Sequence, residues 1–323
     1  MPIRFTSPSL GGHYESHLRA KEWEVGLFYR RLTADQWFVN DEIREDLAPF
    51  GGQSPRFDIH SVDLAVTYGL SDRLSLRLTL PFSTGTLSKI HPDSNRHTTS
   101  ATGLGDINLI GNFWLFKPSS HTNGNVGVGA GVKAPTGSHR VEDDLFRLSD
   151  TIRFPVDQPI QLGDGGWGII LQTQGFQRLF RNGYGYFSGS YQLSPKERTD
   201  VRFGPTSMLT WAVPDVYNAR LGLAYAAWPT GGVSVSFGGR IDGTPVHDII
   251  GGDNAYKRPG YSAFLEPGLA IVRGKGTFTL SVPIRVHGEF KRSPNDIQGG
   301  PPPPGNQGDL AKYLVFMGYN WRL

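Results

Sequence analysis

Residues 73–82 read Arg-Leu-Ser-Leu-Arg-Leu-Thr-Leu-Pro-Phe. Leu74, Leu76, Leu78, Leu80 and Phe82 recur at every second position, with Ser75, Arg77 and Thr79 between them. A helix would scatter these side chains around its circumference, whereas a strand places them all on one face. The same alternation runs through 277–286, where Phe278, Leu280, Val282, Ile284 and Val286 are the apolar set. It also closes the chain, at Tyr313, Val315, Met317, Tyr319, Trp321 and Leu323.

Working outward, twelve such segments can be drawn: 22–38, 57–69, 72–87, 103–116, 124–136, 167–180, 183–194, 215–228, 231–243, 260–272, 276–290 and 309–323. Most are much longer than the usual strand of about five or six residues. They suit tilted strands that cross a bilayer, which need roughly 9–11 residues in the hydrocarbon. The connections alternate in length. Short ones fall at Leu70-Ser71, 117–123, Arg181-Asn182, Pro229-Thr230 and 273–275. Long ones fall at 39–56, 88–102, 137–166, 195–214, 244–259 and 291–308. That parity predicts an all-β, 12-stranded antiparallel transmembrane barrel of the outer-membrane type, with periplasmic turns and extracellular loops. Residues 201–212 could pass for a further strand, but a thirteenth would spoil the parity, so they are read as loop. The domain reading is a periplasmic tail over 1–21 followed by one barrel domain over 22–323.

Composition is compatible with this class without requiring it. The chain has 323 residues, 38% hydrophobic, with 42 glycines and 23 prolines. Mean hydropathy is −0.31. No apolar run approaches the roughly 20 residues of a transmembrane helix. The absence of cysteine excludes disulfides, thiolate metal sites and a cysteine nucleophile. The net charge of +3 is scattered, which argues against a nucleic-acid partner. Trp23, Tyr29, Tyr68, Phe82, Trp167, Tyr217, Tyr225, Trp228, Tyr261 and Trp321 lie near segment ends, as aromatic girdles do. The expected partners are therefore outer-membrane lipid and a small-molecule solute. Met1-Pro2-Ile3 opens without the charged and apolar regions of a signal peptide. A bacterial outer-membrane location requires export, so the reading expects that a signal is missing from this sequence.

Gly103-Leu104-Gly105-Asp106-Ile107-Asn108-Leu109, then Val126–Val132, then Lys133-Ala134-Pro135-Thr136-Gly137, resembles the bacterial outer-membrane family known as "MetA pathway of phenol degradation", a transporter family. The stretches Gly243–Gly252, Arg258-Pro259-Gly260 and Glu266-Pro267-Gly268 are similar to its relatives. The resemblance implies an exported barrel and carries over no catalytic residue.

The alternation also nominates lumen-facing residues. They are Asp63 on the second segment, Arg73 and Arg77 on the third, and Asp106 and Asn108 on the fourth. Lys133, Gln172, Gln174 and Arg178 follow, then Arg220, Arg240, Glu266, Arg285 and His287. The set leans basic. A basic constriction favours anions, but the same charges could pair and plug the lumen. Inward glycines at 127, 129, 131, 222, 238 and 268 leave room for a ligand or an inward loop, or simply permit curvature.

Glu142, Asp143, Asp144 and Asp164 lack calcium-loop spacing. His13 with His17, and His91 with His97, lack placed co-ligands, so no metal or cofactor is expected. No Gly-x-Ser-x-Gly occurs. Ser281 and His287 are read on one strand face, about 20 Å apart, too far for a dyad. The Pro301–Pro304 stretch is read as a stiff spacer. The functional expectation is a channel or transporter for small solutes, either small hydrophobic and aromatic compounds or small anions. The alternatives are a lipid-modifying barrel enzyme and a structural barrel with an envelope partner.

Overall fold

A computed structural model describes residues 18–48, 53–205, 207–294 and 306–323. Twelve antiparallel strands close into a barrel in chain order. They are β1 (Trp23–Val39), β2 (Arg56–Gly69), β3 (Leu74–Ile90), β4 (Arg96–Leu104 and Ile107–Trp114), β5 (Gly124–Ala134) and β6 (Gly168–Phe180). The second half comprises β7 (Gly183–Leu193), β8 (Val216–Trp228), β9 (Val233–Thr244), β10 (Gly260–Arg273), β11 (Gly276–Ser281 and Ile284–Phe290) and β12 (Gln307–Arg322). Pairing of β12 with β1, from Glu24↔Arg322 to Val39↔Gln307, closes the wall. Closure leaves neither end of the sheet unpaired, which a bilayer demands.

The period of two sorts the side chains by medium. Leu27, Leu64, Leu78, Leu109, Leu171, Leu221 and Leu265 point outward and are 38–70% exposed. Register aligns them into bands: Leu78 faces Leu109, Leu109 faces Val132, and Val132 faces Ile169. On the opposite face Asp63 is 0% exposed, and Lys133 and Glu266 are 2% exposed. Apolar side chains outside and charges inside invert a soluble barrel and fit a lipid-facing wall.

The tight ends use residues that tolerate left-handed backbone. Asn182 (φ 64°) makes the β6–β7 turn and Gly274 (φ 57°) the β10–β11 turn.

The connection expected at 88–102 is a correction. β3 runs on to Ile90 and β4 starts at Arg96, leaving only 91–95 as the turn. This extension rises beyond the apolar band, so its outward residues are polar, with Thr84 and Thr102 sharing a hydrogen bond at 2.8 Å. The amphipathic signal of a membrane strand fades there although pairing continues. Arg198–Arg202 and Thr210–Ala212 lie outside the barrel sheet and form a separate two-stranded sheet. Residues 1–17 of the expected tail, and the Pro301–Pro304 spacer, lie outside the described residues. Residues 20 and 21 bond to the turn between β2 and β3, Ala20 N–H donating to Asp72 at 3.4 Å and Lys21 N–H to Gly69 O at 2.7 Å.

Two strands are interrupted. β11 breaks at Val282-Pro283. β4 breaks at Gly105-Asp106, opposite Pro81 of β3, whose carbonyl accepts from Gly105 N–H at 2.8 Å. Pro81 offers no N–H on that same edge. The outer run of β4, Arg96–Leu104, pairs with β3 alone.

Candidate functional site: a lumen closed by its own loop

The lower and middle lumen is a set of ion pairs. Arg30 of β1 donates to Asp63 of β2 at 3.1 Å. Arg220 of β8 donates to Glu266 of β10 through two nitrogens, one at 2.9 Å, and Ser281 of β11 donates to the same carboxylate at 2.9 Å. Arg240 donates to Asp242 at 2.8 Å. Arg77 donates to Thr67 at 3.1 Å and stands 3.8 Å from Glu24. Gln172 donates to Asn112, and Gln174 lies over Gly127. Asn108 is 6% exposed and its Oδ1 has no hydrogen-bond partner. Arg285 donates to Gln36 with its guanidinium 4.4 Å from the Phe38 ring centroid. The basic residues nominated by alternation are thus largely matched by acceptors. Parity along β1 would also have nominated Glu24 and Arg30, which the sequence reading omitted.

Two nominated residues do not line the lumen, while a third, Arg178, keeps the inward parity at the rim, paired with Tyr184. Arg73 sits at the short-turn rim, donating to Trp114 O at 2.9 Å and to Leu115 O, over the ring of outward-facing Phe113. Arg178 is exposed beside the 117–123 turn, 3.4 Å from Asn123 Oδ1. His287 is turned outward by a bulge. Ala263 pairs with His287 but Phe264 pairs with Arg285, so one residue of β11 is extra and the alternation slips. His287 therefore lies on the outer side near Tyr261, with ring centroids 5.5 Å apart. Ser281 faces inward, so the two lie on opposite sides of the wall.

The outer half of the lumen is apolar and filled by the chain itself. After Ala134 the chain leaves the wall. It forms a hairpin, Glu142–Phe146 with Thr151–Pro155, and then dips back between the strands. Val156 and Ile160, 4% and 2% exposed, pack against Leu32, Phe57, Leu87, Phe264 and Leu314 from the wall. A Cβ on Gly85 would meet Ile160 at 3.0 Å, so β3 makes room for this plug by lacking a side chain there. Gly222 and Gly238 play the same part for Tyr186, whose hydroxyl would lie 2.5 and 2.7 Å from their Cβ atoms.

The break in β4 fastens both stems of this loop. Asp106 accepts from Gly137 N–H at 3.0 Å and from Asp164 N–H at 3.2 Å. Lys133 Nζ donates to Asp106 at 3.0 Å, to Gly166 O at 2.8 Å, and to Asp164. Asp164 is therefore a buried partner and no part of a loose acidic cluster. Its role was illegible because residues 133 and 164 meet only through the tertiary return of the loop. Among the described residues no group of three His, Cys, Asp or Glu could hold a metal.

The long-loop end of the barrel is capped by contacts between loops. Lys89 pairs with Asp157. Burial pushes the Asp157 carboxyl up, but the charge and hydrogen bond of Lys89 outweigh it and hold it below the ordinary value. Gln158 donates to Ala212 O at 2.8 Å. In the neighbouring loop, Lys257 is 1% exposed and pairs with Asp248 and Asp253. Burial raises Asp248 to about 6 despite Lys257.

Two cavities flank the plug. One of about 90 Å³ is bounded by Leu32, Phe57, Phe264 and Leu314, with Arg258 and Asp309 at polar positions in its wall. The other, about 60 Å³, lies between Ile160, Leu162, Pro81, Gly105 and Asp106. Leu32, Ile59 and Pro159 border both.

No family model matches the chain, and no curated protein sequence matches it. Solved structures do. The COG4313 outer membrane channel from Pseudomonas putida F1 superposes with a TM-score of 0.64 at 16% identity, over 97% of this chain and 98% of that one. At that identity the likeness concerns the fold. The CymD monoaromatic hydrocarbon channel matches with a TM-score of 0.45 at 9% identity, covering 95% and 89% of the two chains. The translocator domain of the autotransporter NalP from Neisseria meningitidis has the same TM-score at 11% identity, over 94% and 90%. Scores below 0.5 carry no functional argument.

Proposed function

We propose that this chain is a bacterial outer-membrane channel through which small apolar solutes cross. The observation that carries the reading is the apolar chamber in the outer lumen, closed by the Val156–Leu162 segment of the chain's own loop. A pore for ions would be expected to keep unpaired charge and water along its path. Here Arg30, Lys133, Arg220 and Arg240 are each matched by a carboxylate, which favours the apolar version over the anion-leaning one. The break in β4 borders the smaller cavity, near the outer limit of the apolar band. A solute that partitions into hydrocarbon could leave by that side once the loop moves.

The test is uptake of a radiolabelled small hydrocarbon such as toluene by Gram-negative cells with a lipopolysaccharide outer leaflet. Cells expressing the chain should take it up faster than cells without it, and shortening the plug by removing 157–161 should raise the rate further. Uptake indifferent to the chain and to the plug would refute the reading.

A further inference from the structure

The larger cavity is apolar on most of its wall, yet it contains buried polar atoms without partners. Asp309 of β12 is 7% exposed and its Oδ1 has no hydrogen-bond partner. Across the cavity, Gln192 of β7 is 2% exposed, donates from Nε2 to Ser194 at 3.3 Å, and leaves Oε1 without a partner. A buried acceptor left unmade is unfavourable, so such atoms mark places where a guest or water completes the bonding. Arg258 lines the same cavity. Its Nε donates to the Tyr256 hydroxyl at 3.3 Å.

Two other charged groups of the wall are engaged. Asp242 receives Arg240, and Lys257 is held by Asp248 and Asp253. The groups left to meet a guest thus include acceptors at Asp309 and Gln192, a cationic donor at Arg258, and an apolar wall formed by Leu32, Phe57, Phe264 and Leu314.

We infer that this chamber is a binding site for small neutral hydrophobic molecules that carry one hydroxyl, and that Asp309 and Arg258 select them over plain hydrocarbons. The inference rests on the channel reading above and narrows its solute class. A hydroxyl donates to Asp309 and accepts from Arg258, which a methyl group in its place cannot do. An ammonium on the guest would face Arg258 and Lys257, so a hydroxyl suits the wall better than a cation. The carbon skeleton fills the apolar part, as in most small-molecule sites.

The test compares cyclohexanol with methylcyclohexane, which differ by a hydroxyl in place of a methyl. Binding to the detergent-solubilised full chain is read as loss from the headspace, corrected with protein-free micelles. The wild-type chain should bind cyclohexanol about tenfold more tightly, roughly one hydrogen bond's worth of discrimination. Asp309→Leu should bring the ratio close to one while methylcyclohexane still binds, and Asp309→Asn should restore most of the preference. If Asp309→Leu does not fold, Arg258→Met provides the same comparison and should also lower the ratio. Equal wild-type affinities, or a preference that survives both Asp309→Leu and Arg258→Met, would overturn the inference and leave the channel reading standing. Binding of neither compound would overturn both.

Discussion

Lys133 Nζ lies 3.0 Å from Asp106 Oδ2 inside the wall, with side chains 3% and 5% exposed. Asp106 also accepts from the first and last parts of the loop that carries the plug. One carboxylate thus ties a break in a strand to both ends of the segment that closes the lumen. Removing one member of such a pair leaves a buried, uncompensated charge, which costs about 3–5 kcal/mol. Lys133→Met should make residues 137–166 more susceptible to limited proteolysis while the barrel keeps its heat-modifiable migration on gels. A loop as resistant as in the wild type would show that the pair does not fasten it.

The hairpin ahead of the plug is docked on a histidine. His91 is 1% exposed, and its Nδ1 accepts from Phe146 N–H at 3.2 Å, so Nδ1 must be unprotonated. The groups facing it are His97, Lys89, Asp93 and Asp157. Burial, then the charges of Lys89 and His97, push His91 below its ordinary value. His97 itself bonds to Asp93 at 2.7 Å. Asp93 titrates at about 2, so it stays ionised throughout the range considered.

A lowered histidine disfavours the proton in the docked state. Docking is therefore complete above the undocked value of about 6.5 and weakens by up to tenfold per pH unit as pH falls below it. The cysteine-free chain allows spin labels at Ser100→Cys and Leu148→Cys, read by pulsed electron resonance. The distance distribution should broaden between pH 7.5 and pH 5, and His91→Gln should abolish that change. A distribution indifferent to pH in the native-histidine chain would sink the idea.

Tyr186 occupies space vacated by two glycines. In Gly222→Val the new Cβ would meet the Tyr186 hydroxyl at 2.5 Å and Phe237 O at 2.7 Å. Overpacking of this kind costs about 1–3 kcal/mol, so a lower thermal midpoint is expected. Pairing the substitution with Tyr186→Ala should recover part of the loss. Additive losses in the double variant would place the clash elsewhere.

Glu266 neutralises Arg220 and lies close to Arg240. Glu266→Gln should destabilise the barrel. In planar bilayers it should also shift any residual conductance toward anions, because Arg220 loses its counter-charge. Unchanged ion selectivity would mean that these charges lie off the conducting path.

Much of the wall could be read directly. Alternation around Leu74–Phe82 and Tyr313–Trp321 marked strands whose register the barrel then used. Where the outer medium changes from lipid to water, as at Thr84 and Thr102, the pattern weakened and an ordered strand extension was read as loop. Asp63, Lys133 and Glu266 stand at positions that parity nominates, and the structure buries all three, since an unbroken strand keeps alternate side chains on one face. His287 was missed for the same reason in reverse: one extra residue in β11 shifts the parity, and nothing in the local composition announces the bulge.

The sequence alone determined that this chain is a barrel, because a period of two sustained over twelve segments leaves a bilayer no other way to satisfy the backbone. Only the tertiary structure decided that the lumen is plugged and its charges matched. Arg30 meets Asp63, Lys133 meets Asp106 and Asp164, and Ile160 meets Leu32 across distances in the chain that no local pattern encodes. Those contacts exist because closure of the wall brings facing strands together around a loop that folds inward.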